Sequence, residues 1–433
     1  MNSRGASSTA AFVRQTLESP QLATVLTQLA FGVAFGSHLL VSVMGWAGLI
    51  GALLTLVVVA VLSLLARRTT LEWHGLLPIS ILVFVGWCTL SVVWSDYTLA
   101  SAAGIGYQLV FAFLAIYIAL VRDTIQILRA TGDVLRVLLS LSLILEILSG
   151  LLLDLPITFL GIAGNLATLG PIQGIFGSRN LLGLVALIAA VTFVIELRAR
   201  SVRRNVGIFS LVLAGSALLL TRSPVILVVA LFVGVAALAL YWLRRTAPER
   251  RWLLQLGLAG AVLVVGVTAW FARARILSLL NAGSEFEVRL TLWREVWRLT
   301  SLHPLEGWGW AGMWPAHGTP YDWLDFITKN EQTSGLNAFF DVFFQVGLVG
   351  FIAFVALFGL AFVRSWLLAS DKRPLVYVWP ALVLVILLVT STAESAVLVG
   401  FGWLLLVVCS VKAAQGMSWR SALARKPHHD PAP

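Results

Sequence analysis

LLLTRSPVILVVALFVG, residues 218–234, joins two apolar runs through a short polar break, Thr221 to Pro224. Followed outward, the first run reaches back to residue 206. The second runs forward to residue 243, where Arg244 and Arg245 end it. Each run approaches the ~20 apolar residues a helix needs to cross a bilayer. Two spans meeting at a tight turn on Arg222 predict a polytopic membrane protein built of helices.

The rest of the chain agrees. Of 433 residues, 59% are hydrophobic and 12% charged, against about 25% charged in a soluble domain. Apolar runs predict about twelve spans, near 21–38, 41–66, 76–94, 102–121, 134–153, 181–197, 206–221, 224–243, 253–272, 338–363, 376–392 and 396–411. The first run shows no small-residue cleavage site and reads as a retained span. The chain thus divides into nine spans over 1–272, a polar segment over 273–335, three spans over 336–412 and a tail over 413–433. No soluble domain and no repeat between the halves is visible. Cys88 and Cys409 both fall inside apolar runs, which argues against a disulfide framework.

The net charge of +10 does not point to nucleic acid, because the basic residues cluster at the exits of alternate spans. Arg67 and Arg68, Arg122 and Arg129, Arg198 to Arg204, Arg244 to Arg251, Lys372 and Arg373, and Lys412 to Lys426 follow spans two, four, six, eight, ten and twelve. Basic loops stay in the cytoplasm, so both termini are expected there. The tail RKPHHDPAP reads as disordered, its histidine pair too little for a metal site. Arginines on the other, external side break the trend: Arg179, Arg222, Arg273, Arg275, Arg289, Arg294 and Arg298.

Several of these fall in or beside RLTLWREVWRLTSLHPLEGWGW, residues 289–310. At 100° per residue, Phe286, Leu290, Leu292, Trp293, Val296, Trp297 and Leu299 share one arc, opposite Glu287, Arg294, Glu295 and Arg298. Residues 285–302 therefore predict an amphipathic helix lying at the membrane surface. Arg289 projects into the apolar arc. Its stem either snorkels to headgroups, or its guanidinium grips an anionic ligand through paired hydrogen bonds. His303-Pro304 should end the helix. Three carboxylates within or beside apolar runs, Glu146, Asp341 and Glu394, should be paired or functional. Glu146 calls for an arginine, and Glu394 could hold a site arginine in place. Asp341 stands one helical turn after Asn337.

Four stretches together resemble the superfamily of O-antigen ligases and polymerases of bacterial surface glycans. GIFGSRNLLG (174–183) is similar to the family's Gly-aromatic-x-x-x-Asn-x-x-Gly pattern, and LLLTRSPVILVVALFVG to its Ser-Arg turn between spans. Residues 289–310 resemble Arg-x-x-x-Trp followed by His-Pro-x-x-Gly-x-Gly, and SGLNAFFDVFFQVGLVG (334–350) resembles a His-Asn entry into a span. STAESAVL (391–398) is a weaker fifth. One departure matters: the ligase histidine proposed as base should precede Asn337, where this chain has Leu336. Ligase and polymerase both stay open.

The resemblance implies transfer of a glycan from an undecaprenyl-diphosphate-linked donor to the sugar hydroxyl of a glycan or lipid-linked acceptor. The site would face outward from the bacterial cytoplasmic membrane, among membrane lipids, with neither metal nor cofactor expected. Arg179, Arg222 and Arg289 are then expected to converge on the diphosphate, with Asn180, Asn337 and Glu394 beside them. Asn180 also suits a helix start. The acceptor hydroxyl wants a base, and Asp341, His317, Glu331 and His303 are the candidates. Each has a plain alternative: a buried pair for Asp341, solvated loop positions for His317 and Glu331, the His-Pro turn for His303. Two rivals stand beside the enzyme: a transporter or flippase using Glu146 and Glu394, and a noncatalytic scaffold of a polysaccharide assembly complex.

Overall fold

The computed structural model describes residues 14–68, 78–168, 170–272, 275 and 283–417. The tail RKPHHDPAP, Arg273, the start of the 76–94 run and most of 273–282 lie outside the described residues. The helices are α1 (Pro20–Phe35), α2 (Ser37–Ala66), α3 (Ile79–Leu90), α4 (Thr98–Val121), α5 (Thr124–Ile147), α6 (Arg179–Arg198), α7 (Arg204–Thr221), α8 (Pro224–Arg245), α9 (Arg251–Phe271), α10 (Gly283–Thr300), α11 (Tyr321–Thr328), α12 (Ala338–Asp371), α13 (Val378–Thr390) and α14 (Gly400–Gly416). The only pairing of extended backbone among the described residues is the isolated bridge between Ile157 and Ile162.

Twelve of these helices fall on the twelve apolar runs. Eight of them are long and apolar enough to cross a membrane, while α1, α3, α13 and α14 are shorter. α13 and α14 form the core with α6, their side chains buried nearly all round. The outer helices turn Leu and Val outward, as at Leu54, Val212, Leu231 and Leu256, a surface suited to hydrocarbon and not to water.

The opening stretch folds as its residue types dictate. Arg222 takes left-handed backbone (φ 46°) and ends α7. Ser223 caps α8 by accepting from the Ile226 amide, and Pro224 occupies the first turn, where its missing N–H costs nothing.

Two features depart from the sequence reading. First, α10 does not turn its whole apolar arc to a membrane surface. Leu292, Val296 and Leu299 are buried against α11 and α12 together with Arg289, while Leu290 and Trp297 are exposed. Second, α12 is not one straight span: Val346 and Gly347 (φ 64°) leave the helical conformation. The His-Pro segment after α10 fills that break. The Trp308 and Gly309 amides donate to the carbonyls of Phe344 (3.1 Å) and Gln345 (2.7 Å), and the Leu348 amide donates to Pro304 (2.9 Å). Trp87 Nε1 donates to the Val346 carbonyl at 2.9 Å. Beyond it, Trp310 is wholly buried, its amide on Ser91 Oγ, and Gln345 Oε1 accepts the amides of Ala311 and Gly312.

Candidate active site

The loop before α6, the α7–α8 turn, the α10–α12 segment and the α13–α14 loop gather at one end of the bundle. A cavity of about 1050 Å³ opens there. Trp46, Leu49, Val399 and Phe401 form apolar wall, and His38, Glu146, Arg179, Asn180, Arg289 and Glu394 supply its charge and polarity.

The turn over residues 173–176 organises one side. Its amides at Gln173 and Gly174 donate to Glu146 Oε1 of α5 at 3.0 and 2.8 Å, and that at Ile175 to Ser142 Oγ at 3.3 Å. Glu146 is therefore held by backbone amides and not by the arginine expected of it. A carboxylate this buried needs such donors. Gly177 (φ 77°) then reverses the chain, and Ser178 caps α6. The first two residues of α6, Arg179 and Asn180, are thereby set in the cavity wall.

Arg289 closes the other side. It is 8% exposed. Its Nη2 donates to Glu394 Oε1 at 3.0 Å, and Nη1 donates to the carbonyls of Leu336 (3.2 Å) and Ala393. The same carboxylate oxygen accepts from Asn180 Nδ2 at 2.7 Å, and Asn180 Oδ1 accepts from Ser223 Oγ at 2.7 Å. A chain Arg289–Glu394–Asn180–Ser223 thus ties α10, the α13–α14 loop, α6 and the α7–α8 turn together. Arg289 turns inward to this network, not outward to headgroups, and Glu394 holds it as anticipated.

Residues 208–355 match the family model described as O-antigen ligase. The match covers about a third of the chain, and that stretch is similar to the family. The match runs from α7 through the break in α12, so it contains Ser223, Arg289 and Leu336. No curated protein matches the chain significantly. Together with the apolar helices, the match supports a membrane protein of polysaccharide biosynthesis, of the O-antigen ligase and polymerase kind.

Within and around the matched stretch the remaining expected residues are distributed unevenly. Leu336 lines the cavity, so the position where the resemblance implies a histidine carries no titratable group there. Asn337 caps α12, accepting from Phe339 and Phe340 and donating to the Thr392 carbonyl at 3.0 Å; it fastens the α13–α14 loop and is absent from the cavity wall. Arg222 is exposed next to Ser223, outside the wall. His317 has a side chain 96% exposed and 4.0 Å from Asp322. Glu331 is exposed. His303 pairs with Glu306 at 3.1 Å, packs on Trp308 and holds the Glu306 carboxyl below its usual range.

Asp341 is wholly buried outside the cavity wall. Its Oδ1 accepts from Trp314 Nε1 and Gln345 Nε2, both at 2.7 Å, and Oδ2 accepts from the Gly335 amide at 3.2 Å. Trp314 in turn packs on Tyr321, whose hydroxyl bonds that of Tyr97 at 2.8 Å; Tyr97 donates to the Gly309 carbonyl at 3.0 Å. Burial pushes both phenols above their ordinary range.

Sequence reasoning missed His38, which stands in the cavity wall. It lies at the end of the first apolar run, and a polar ring there is the same kind of anomaly that singled out Glu146.

Proposed function

We propose that the protein transfers a glycan from undecaprenyl diphosphate to an acceptor hydroxyl at the outer face of the bacterial cytoplasmic membrane. The observation that carries this reading is the convergence of Arg179, Arg289 and Asn180 on one cavity with partly apolar walls. Breaking the bond between an anomeric carbon and a diphosphate oxygen leaves the bonding pair on the diphosphate. Fixed guanidinium groups in a site poor in water stabilise that charge as it develops. Arg289 is preorganised by Glu394 and two carbonyls, so little rearrangement is spent at the moment of transfer. The apolar wall at Trp46, Leu49 and Phe401 suits the first isoprene units of the carrier, and Arg222 lies outside, where it can draw the anionic headgroup in.

The test is a glycan profile. The gene is deleted and complemented with wild type, Arg289→Ala, Arg179→Ala and Glu146→Gln at equal protein levels. Accumulated lipid-linked repeat units in the deletion strain, with the arginine variants behaving like it, support the transferase. Short chains then assign a polymerase, and long unattached chains a ligase. Normal glycan in both arginine variants overturns the reading, and a defect confined to Glu146→Gln would favour a transporter.

A further inference from the structure

We propose that His38 is the general base that takes the acceptor hydroxyl's proton. The inference rests on the transferase reading above and adds the residue that reading lacks.

The cavity wall contains six groups able to carry charge or a proton besides hydroxyls of serine and threonine: His38, Tyr107, Glu146, Arg179, Arg289 and Glu394. The two arginines are cations with no basic lone pair. Glu394 is committed to Arg289 and Asn180, and Glu146 holds the amides of Gln173 and Gly174. Tyr107 is a neutral phenol packed edge-on against Trp46 and Phe111. An imidazole is the side chain of this set that accepts a proton readily near neutral pH.

Its tautomer is set by its surroundings. His38 Nδ1 lies 3.2 Å from the Ile175 carbonyl oxygen. A carbonyl only accepts, so Nδ1 carries the hydrogen and the lone pair sits on Nε2. No protein group bonds Nε2 among the described residues, and Nε2 is not among the buried unpartnered atoms. The ring is also held in place. It lies against Gly177, where a Cβ would stand 2.5 Å from Cδ2 and Nε2. Glu146 and Ser142 fix the turn that presents the Ile175 carbonyl. That one turn therefore orients His38 on one side and launches Arg179 and Asn180 on the other.

The step balances without a further reagent. The acceptor oxygen forms the new bond to the anomeric carbon of the donor glycan as the carbon–oxygen bond to the diphosphate breaks. The acceptor proton passes to Nε2, the bonding pair leaves with the diphosphate, and the imidazolium later gives its proton to water. Arg179 and Arg289 in the same wall balance the departing anion.

The experiment uses the full chain, purified and returned to membranes of the deletion strain, which carry both donor and acceptor. Transfer is followed against pH for wild type, His38→Gln, His38→Ala with and without imidazole, and Arg289→Gln. Retention of extracted lipid-linked repeat units on the protein reports donor binding. Glutamine can keep the hydrogen bond to Ile175 but is no base. The expected result is donor binding as in wild type with transfer down roughly 10²- to 10⁴-fold, no acid-side fall in rate, and partial recovery of His38→Ala with imidazole. Wild-type transfer by His38→Gln while Arg289→Gln is inactive overturns the base alone. Wild-type transfer by both variants overturns this cavity as the site, and a wild-type chain that restores no transfer overturns the transferase reading itself. If His38→Gln does not fold, the folded fraction of His38→Ala decides: recovery with imidazole supports the base, and none overturns it.

Discussion

Arg289 and Glu394, 105 residues apart in the chain, meet at 3.0 Å, with their side chains 10% and 15% exposed. The carboxylate does not stand as a lone counter-ion. It also accepts from Asn180, and two main-chain carbonyls share the guanidinium. Arg289 should therefore contribute the charge, and Glu394 its aim. Arg289→Ala is expected to lower transfer roughly 10²- to 10³-fold, the usual cost of removing one fixed donor from a developing anion. Glu394→Gln keeps an oxygen for Asn180 and leaves both carbonyls on Arg289, so a loss of roughly 10- to 100-fold is expected, one charge-assisted bond being worth about 1.5–3 kcal/mol. The rate of glycan transfer in membranes checks the order; a larger loss in Glu394→Gln than in Arg289→Ala would reverse the assignment.

Asp341 is a joint between segments. Asp341→Ala would strand Trp314 Nε1 and the Gly335 amide in a dry interior, at about 1–3 kcal/mol for each orphaned donor, while Gln345 Nε2 would keep the Gly312 carbonyl at 3.3 Å. The melting temperature in detergent should drop accordingly, with a smaller drop for Asp341→Asn, which retains one acceptor. An Asp341→Ala protein as stable as wild type but inactive would return this carboxylate to the list of bases.

Gly347 offers a test of the α12 break. At φ 64° its Cβ would lie 2.1 Å from the Leu305 carbonyl oxygen, whereas Gly359, further along the same helix, has nothing within 4 Å. Gly347→Ala should destabilise by more than ~1 kcal/mol and loosen the 303–309 segment. Gly359→Ala should be neutral or slightly stabilising, since alanine is the better helix former. Limited proteolysis and thermal unfolding of the two variants separate local clash from general intolerance to alanine.

The pair Tyr97 and Tyr321 predicts a response to alkali. Burial raises both phenols in the folded protein. A raised folded value gives stability that is complete below the unfolded value, near 10, and lost as pH rises beyond it. Melting temperature should hold to about pH 10 and fall above it, with a smaller fall in Tyr97→Phe. A tyrosinate absorbance at the ordinary pH in folded wild type that disappears in Tyr97→Phe or Tyr321→Phe would contradict the burial.

What could be read from the sequence follows from how far each signal reaches along the chain. Apolar runs, the Ser223-Pro224 helix start and the His303-Pro304 stop are local, and the helices lie where those signals put them. The tie between Glu394 and a site arginine could be anticipated because two charges in so apolar a chain have few other partners. Glu146 misled for the opposite reason: its partners are backbone amides of a turn 27 and 28 residues on, and no side chain announces an amide. The apolar residues of α10 are legible in the sequence, yet its orientation depends on Glu394, which lies three helices later. His38 is hard to read from the sequence because it ends an apolar run, which only the fold brings to the cavity.

The broken α12 also bears on how this architecture can be inherited. In hydrocarbon an open helix turn leaves polar backbone without partners, at several kcal/mol for each group. Here the missing partners are supplied by Pro304, Trp308, Gly309 and the indole of Trp87. Without them the same residues would close their own ladder and run straight. Loop and helix are therefore two halves of one mould. A hybrid that exchanged residues 303–309 while keeping α12 would lose the filling, the bend and the seat of the Asp341–Trp314 joint together.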